Sequence, residues 1–254
     1  MTGNTIFDTL LIAVFVCAAL SALLLLLVDA PYGRHQQAGW GPKINTRVGW
    51  VLMESPASLL FFFFYFSGEN AGSTACIVLL VLWQLHYFHR SFVYPFQIKV
   101  KPGDKVPLIV ILAGALYCGV NGYLNGSYVS TYGSHLAAGW TSDPRFWIGI
   151  VIFGFGYYLN KKSDQILRNL RKDKSEGYKI PYGFGFRYVS MPNYLGEIIT
   201  WIGFSIAAWS LAGVSFVVFT MANLIPRALA NHKWYLETFE DYPKDRKAII
   251  PGLL

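Results

Sequence analysis

Apolar runs of membrane-crossing length recur along the chain, and they limit it to a small set of folds. Residues 6–28, 48–66, 74–94, 106–124 and 145–160 are apolar with isolated polar interruptions, and 194–225 is apolar except at Glu197. A crossing needs about twenty apolar residues in a helix, and a helix satisfies its own backbone hydrogen bonds in hydrocarbon. At about 1.5 Å per residue, 194–225 is too long for one crossing and short for two. Trp209-Ser-Leu-Ala-Gly213 predicts a tight turn that makes it a hairpin. The expectation is an all-α integral membrane protein of seven transmembrane helices.

Composition agrees. The chain is 54% hydrophobic and 14% charged, against about 25% charged in soluble domains. One embedded domain, 1–254, is expected. No basic segment precedes 6–28 and no small-residue cleavage site follows it, so it reads as a retained span. Cys17, Cys76 and Cys118 all lie in apolar runs, without metal-ligand spacing. They read as buried hydrophobes.

A net charge of +7 suggests nucleic acid only until the charges are placed. Nineteen of the 21 Lys and Arg residues fall in the first, third and fifth loops and the tail from Pro226; the exceptions are Arg90 and Arg145. That alternation predicts seven spans with the N-terminus outside and the C-terminus cytoplasmic. It leaves no role for nucleic acid. Asn125-Gly-Ser127, in a loop predicted from 125 to 144, matches a glycosylation triplet that is common by chance.

Polar groups within lipid cost several kcal/mol unless partnered or functional. Glu54 lies six residues, roughly 9 Å, from the cytoplasmic end of span two. Tyr87 lies at similar depth in span three, followed by Arg90. A carboxylic acid and a phenol on neighbouring helices suit a shared ligand oxygen. The competing reading is structural glue between helices. Asn160, Asp164, Arg168 and Arg171 are spaced 4, 4 and 3, one face of a helix that continues span five. An amide, an acid and two guanidiniums suit a nucleotide, and equally a solvated face with ordinary salt bridges. Asn193 and Glu197 are four apart, as are Arg227, Asn231 and Tyr235. No spacing of histidines and carboxylates suits a metal, so none is expected. His86 and His89 read as helix-packing residues, and 61–64, four phenylalanines, as lipid-facing bulk. Gly183-Phe-Gly185 lacks the third glycine of a dinucleotide fingerprint.

Several blocks carry a family resemblance. They are His86-Tyr-Phe-His-Arg-Ser-Phe-Val-Tyr94, Asn160 with Ser163-Asp164 and Ile166-Leu-Arg-Asn-Leu-Arg-Lys172, and Tyr188-Val-Ser. Asn193-Tyr-Leu-Gly-Glu-Ile-Ile199 with Trp201-Ile-Gly, and Phe239-Glu-Asp-Tyr-Pro-Lys-Asp-Arg-Lys-Ala-Ile-Ile-Pro251, complete the set. Together they resemble the steroid 5α-reductase family, most of all its type 2 branch, over nearly the whole chain. The resemblance implies NADPH-dependent reduction of the Δ4 double bond of a 3-oxo steroid, or of a similar enone lipid. It maps the catalytic pair to Glu54 and Tyr87. It maps cofactor contacts to Asn160, Asp164, Arg171, Asn193, Glu197, Arg227 and Tyr235, with Arg90, Tyr94 and Tyr32 beside them; the helical spacing adds Arg168 to the cofactor candidates. Trp201 becomes a candidate wall for the steroid. The membrane implied is the endoplasmic reticulum or a bacterial inner membrane, with the cofactor site facing the cytoplasm; no obligate protein partner is inferred. The chain departs from the type 2 pattern at Met53, where that pattern has Gln, at Asn231, where it has His, and through 183–187.

Two other classes compete. A membrane methyltransferase of the isoprenylcysteine carboxyl type shares a cytoplasmic cofactor pocket but has no obvious use for Glu54 and Tyr87. A seven-span photoreceptor needs a lysine in its last span, and 213–225 has none.

Overall fold

A computed structural model describes residues 1–27, 39–100, 103–137, 139–170 and 177–254. The long helices are α1 (Thr5–Leu27), α2 (Thr46–Phe66), α3 (Thr74–Phe88), α5 (Leu108–Ser127), α7 (Pro144–Leu170), α8 (Pro192–Ala208) and α9 (Leu211–Thr238). Two one-turn helices, α4 (Tyr94–Gln97) and α6 (Ser134–Ala137), and two short strands, β1 (Lys43–Asn45) and β2 (Lys105–Pro107), complete the frame. Among the described residues, five helical segments are long and apolar enough to cross a membrane: Thr5–Leu27, Thr46–Phe66, Thr74–Gln97, Leu108–Tyr132 and Leu211–Thr238. The charged second half of α7 and the 17 residues of α8 keep those two helices outside that set. The chain is thus an all-α protein of the multi-pass membrane type.

Local chemistry starts and stops these helices. Asn45 caps α2 by accepting from the amides of Arg47 and Val48, and Ser73 caps α3 by accepting from Cys76. The turn between α8 and α9 falls at the expected place. Trp209 takes a left-handed conformation (φ 45°), and the Ser210 hydroxyl then accepts from Gly213 N at 2.9 Å to open α9. Nearby, the Arg145 guanidinium sits 4.6 Å from the Trp140 ring and 4.4 Å from that of Trp209. Its hydrogen bonds to Asp143, at 2.9 and 2.7 Å, hold that carboxyl down at about 2 and lock the start of α7 to the turn.

Between α3 and α4 the chain makes a π-helical turn, His89–Val93. Pro95 follows it and has no N–H to offer Ser91 O four residues back, so the regular ladder is broken there. The Tyr94 amide bonds instead to His89 O, five residues back.

Packing is closest where glycines face each other. On α7 and α8, Gly149 lies against Gly203 and Ala207, and Gly156 against Gly196 and Thr200, so the two backbones touch. On α5, Gly122 meets the backbone of Ala57 and Phe61, while Gly114 lies against Met53 and Gly119 against Leu60. Helix α1 joins through Phe7, Leu11 and Val14, which pack with Leu124 and Ala212.

Two clasps tie the loops. β1 pairs antiparallel with β2, Lys43 opposite Pro107. Because β1 leads into α2 and β2 into α5, these helices start at one end and run side by side. At the other clasp, Ser190 N and Met191 N donate to Lys247 O and Ala248 O at 2.8 and 3.0 Å. The tail is thereby pinned to the segment entering α8. Arg246 is buried and donates to Pro181 O at 2.9 Å.

Several expectations are corrected. Helix α5 does not end at 124 but runs to Ser127, with a π-helical turn, Tyr128–Tyr132, beyond it. Asn125 is therefore a buried helical residue, inaccessible to a glycan. Phe61 turns inward and stacks on Trp83 at 4.5 Å; only Phe62 and Phe63 of that run are exposed. Cys76 and Cys118 are buried, but Cys17 is exposed on α1. The tail does not begin at Pro226, which is buried inside α9. Tyr32 and Arg171 lie outside the described residues.

Candidate active site

The register between α2 and α3 sets the depth of the site. These helices run antiparallel and are fastened by four groups. Trp83 Nε1 donates to Ala57 O at 2.9 Å, Ser58 Oγ to Gln84 Oε1 at 2.6 Å, and Gln84 Nε2 to Ser58 O at 3.0 Å. One turn back from Ser58 is Glu54, and one turn on from Trp83 is Tyr87. Both are buried, and both meet α5 on one stripe. Cys118 Sγ lies 3.8 Å from Glu54 Oε2, and Asn121 Nδ2 donates to Tyr87 Oη at 3.4 Å. Arg90, in the π-helical turn, donates Nε to Glu54 Oε1 at 3.2 Å. Its guanidinium lies 4.8 Å from the Trp50 ring and 5.2 Å from that of Tyr94.

Around Tyr87 the walls are aromatic. Trp83, Trp201 and Phe216 have ring centroids 4.9, 5.5 and 6.2 Å away, and Trp201 packs on Phe216 at 4.2 Å. Such walls suit a flat apolar molecule, with the Glu54–Tyr87 end as its polar handle.

A second polar group adjoins the first across Trp201. Glu197 accepts from Trp201 Nε1 at 3.1 Å and from Asn160 Nδ2 at 2.9 Å, and pairs with His86 Nε2 at 3.1 Å. Asn160 also donates to Asn193 O at 2.9 Å, and Asn193 Nδ2 donates to Asp164 Oδ1 at 3.1 Å. The glycine contact of α7 with α8 brings these residues together, since Gly196 lies against Asn160. Arg227 and Tyr235 form a further set on α9. Arg227 donates to Asn223 Oδ1 at 3.1 Å and to Tyr194 Oη at 3.3 Å; Tyr235 stacks on Tyr242 at 5.1 Å.

Among the described residues, three buried polar atoms here have no protein partner: Arg168 Nη1, Ser163 Oγ and Asn193 Oδ1. A guanidinium donor, a hydroxyl and an amide acceptor, set beside two carboxylates, match the phosphates and hydroxyls of a nucleotide. The donor set therefore fits a dinucleotide held without a Rossmann domain.

Three contributors escaped the sequence reading. His86 was assigned to packing, yet it pairs with Glu197. Cys118 and Asn121 were passed over in a run read only for its glycines. The available signal was two asparagines four apart, Asn121 and Asn125, in an otherwise apolar stretch.

Fold and site together define a helical membrane protein with a buried aromatic cluster, a carboxyl–phenol pair at its end and a nucleotide-like polar set beside it. Residues 104–254 match the family described as 3-oxo-5-alpha-steroid 4-dehydrogenase. The steroid 5-alpha-reductase DET2 of Arabidopsis thaliana is 38% identical across 99% of this chain and 98% of its own length. The 3-oxo-5-alpha-steroid 4-dehydrogenase 1 of Bos taurus is 42% identical across 91% of each chain, and that of Homo sapiens 41% across 89% and 86%. The chain belongs to the steroid 5α-reductase family, and so to the oxidoreductases.

Proposed function

We propose that this protein reduces the Δ4 double bond of a 3-oxo-Δ4 steroid, or a similar enone lipid, to the 5α-dihydro product with NADPH. The observation that carries this is the convergence of Glu54 and Tyr87 on one stripe of α5, at the end of a buried aromatic cluster beside the Glu197–Asn160 group. NADPH, when bound, supplies hydride to C5, and a proton reaches C4. The protein's part is electrostatic. Tyr87 donates its O–H to the 3-keto oxygen. Glu54, held by Arg90 at Oε1 and by Cys118 at Oε2, is the second donor when it carries a proton. Both donors strengthen as negative charge grows on that oxygen, which stabilises the enolate and makes C5 electrophilic. Trp83, Trp201 and Phe216 exclude water and hold the flat ring system.

Asn160, Asp164, Arg168, Asn193, Glu197, Arg227 and Tyr235 would hold the cofactor, together with Arg171, Tyr32, Arg90 and Tyr94. The unpartnered Arg168 Nη1 supports this reading. Arg168→Ala is expected to weaken NADPH about tenfold or more, as loss of a charge-assisted hydrogen bond does, while NADH weakens less. Titration of both cofactors against cofactor fluorescence checks this. The same comparison on Arg171→Ala tells which arginine meets the 2′-phosphate; equal losses for both cofactors would remove either from that role.

The whole chain acts as one domain with seven spans, its N-terminus outside and its C-terminus in the cytoplasm. The two clasps support this, because each joins two of the basic segments at one end: the first loop to the third, and the fifth loop to the tail.

The deciding experiment is the purified protein in nanodiscs with NADPH and a 3-oxo-Δ4 steroid, the products read by mass spectrometry. A 5α-dihydro steroid is expected. Bound NADPH without product would move the search to other enones, and no binding of NADPH would overturn the reading.

A further inference from the structure

Two buried amides on α5 have no part in the reaction described above. Asn121 and Asn125 are 2% and 1% exposed in the C-terminal half of α5. Burying a side-chain amide in an apolar helix is costly unless each of its groups is placed. Their orientations follow from one fixed point. Asn125 Nδ2 lies 3.1 Å from the backbone carbonyl oxygen of Asn121, which only accepts, so this end of the Asn125 amide must be the NH2 group. The same NH2 lies 2.8 Å from the Asn121 side chain, which must therefore present its oxygen there. That turns the Asn121 NH2 toward Tyr87 Oη, at 3.4 Å.

Tyr87 has one proton to give. With a lone pair engaged by Asn121, its O–H points away from α5, and a donor behind it polarises the bond and strengthens its own donation. An amide turned the other way would accept the Tyr87 proton and silence it toward a ligand. We propose that Asn121 is a positioning residue that fixes Tyr87 as a hydrogen-bond donor, and that Asn125 sets Asn121. The chain of donation runs from Asn125 through Asn121 and Tyr87 to the substrate carbonyl. This inference rests on the proposed role of Tyr87 in carbonyl polarisation.

The test compares wild type, Asn121→Leu, Asn121→Asp and Asn125→Leu in nanodiscs with NADPH and a 3-oxo-Δ4 steroid. Asn121→Leu removes the donor, and kcat is expected to fall about tenfold or more, the usual effect of losing a partner that orients a reacting group. KM for NADPH should stay within about twofold. Asn121→Asp is the sharper variant because it is isosteric. As a carboxylate it accepts the Tyr87 proton; as an acid it donates as the amide did. Its kcat relative to wild type should therefore be lowest near about pH 8 and climb toward about pH 6, a range in which a buried carboxyl can titrate. A purely structural role gives no such climb. Asn125→Leu should lower kcat about threefold to tenfold through loss of orientation, and it stands in if Asn121→Leu does not fold. Wild-type kcat in folded Asn121→Leu or Asn125→Leu, or an Asn121→Asp ratio flat with pH, would overturn the proposal. Wild type that makes no saturated product would overturn the reductase reading itself, and this proposal with it.

Discussion

Glu54→Gln and Tyr87→Phe are each expected to lower turnover of a 3-oxo-Δ4 steroid about 100-fold to 1,000-fold, roughly 3–4 kcal/mol of transition-state stabilisation. NADPH affinity should hold within a small factor. The two changes act on the same oxygen by different routes. Gln keeps the size of Glu54 and its acceptor toward Arg90 Nε but replaces the acid O–H with a weaker donor. Phe keeps the ring against Trp83, Trp201 and Phe216 and removes only the hydroxyl. Neither change opens a cavity, so a loss of rate with an intact cofactor titration reports on chemistry and not on folding. Because both donors serve one developing charge, the double variant should cost less than the two losses combined. Steady-state rates with parallel cofactor titrations check all three, and wild-type turnover in both single variants would remove the polarising pair.

The second large effect is on stability. Gly203→Val would set a branched side chain onto the backbone amide of Phe153 and the carbonyl of Gly149. Backbone cannot rotate away as a side chain can, so α7 and α8 must part along their length. The expected cost is at or above the roughly 1–3 kcal/mol usual for overpacking. Separation also pulls Asn160 away from Glu197. The protein should therefore lose cofactor binding together with thermal stability, read as a drop in the unfolding midpoint and in the yield of monodisperse material. Gly154→Ala is the internal control, since a Cβ at Gly154 meets nothing within 4 Å. If Gly203→Val melts with wild type, the seam is not the contact described.

What the sequence revealed of this site, and what it hid, follow from how far each signal reaches. Asn160, Asp164 and Arg168 were legible because their spacing is a property of one helix, and α7 indeed carries all three without a break. The shared depth of Glu54 and Tyr87 was legible because apolar runs set where each helix enters lipid. Pairings between helices were not. Nothing local tells Arg90 to find Glu54, or His86 to find Glu197, and the glycines that close α7 on α8, Gly156 with Gly196 and Gly149 with Gly203, are far apart in the chain. Asn125 was misplaced for the opposite reason. Asn-Gly-Ser has the composition of a loop, and packing against α2, where Gly126 meets the Phe61 backbone, overrides that preference.

The π-helical turn at His89–Val93 has one more consequence. A regular α-helix advances about 100° per residue, so one residue more in a turn changes the phase of everything beyond it. The face presented before the turn and the face presented after it are thereby set separately. Tyr87, on one side, keeps its packing against Trp83, Trp201 and Phe216. Tyr94 and Pro95, on the other, keep the orientation that the loop toward β2 requires. A single helix can thus turn one face to the buried aromatic cluster around Tyr87 and another to the loop toward β2 without either dictating the rotation of the other.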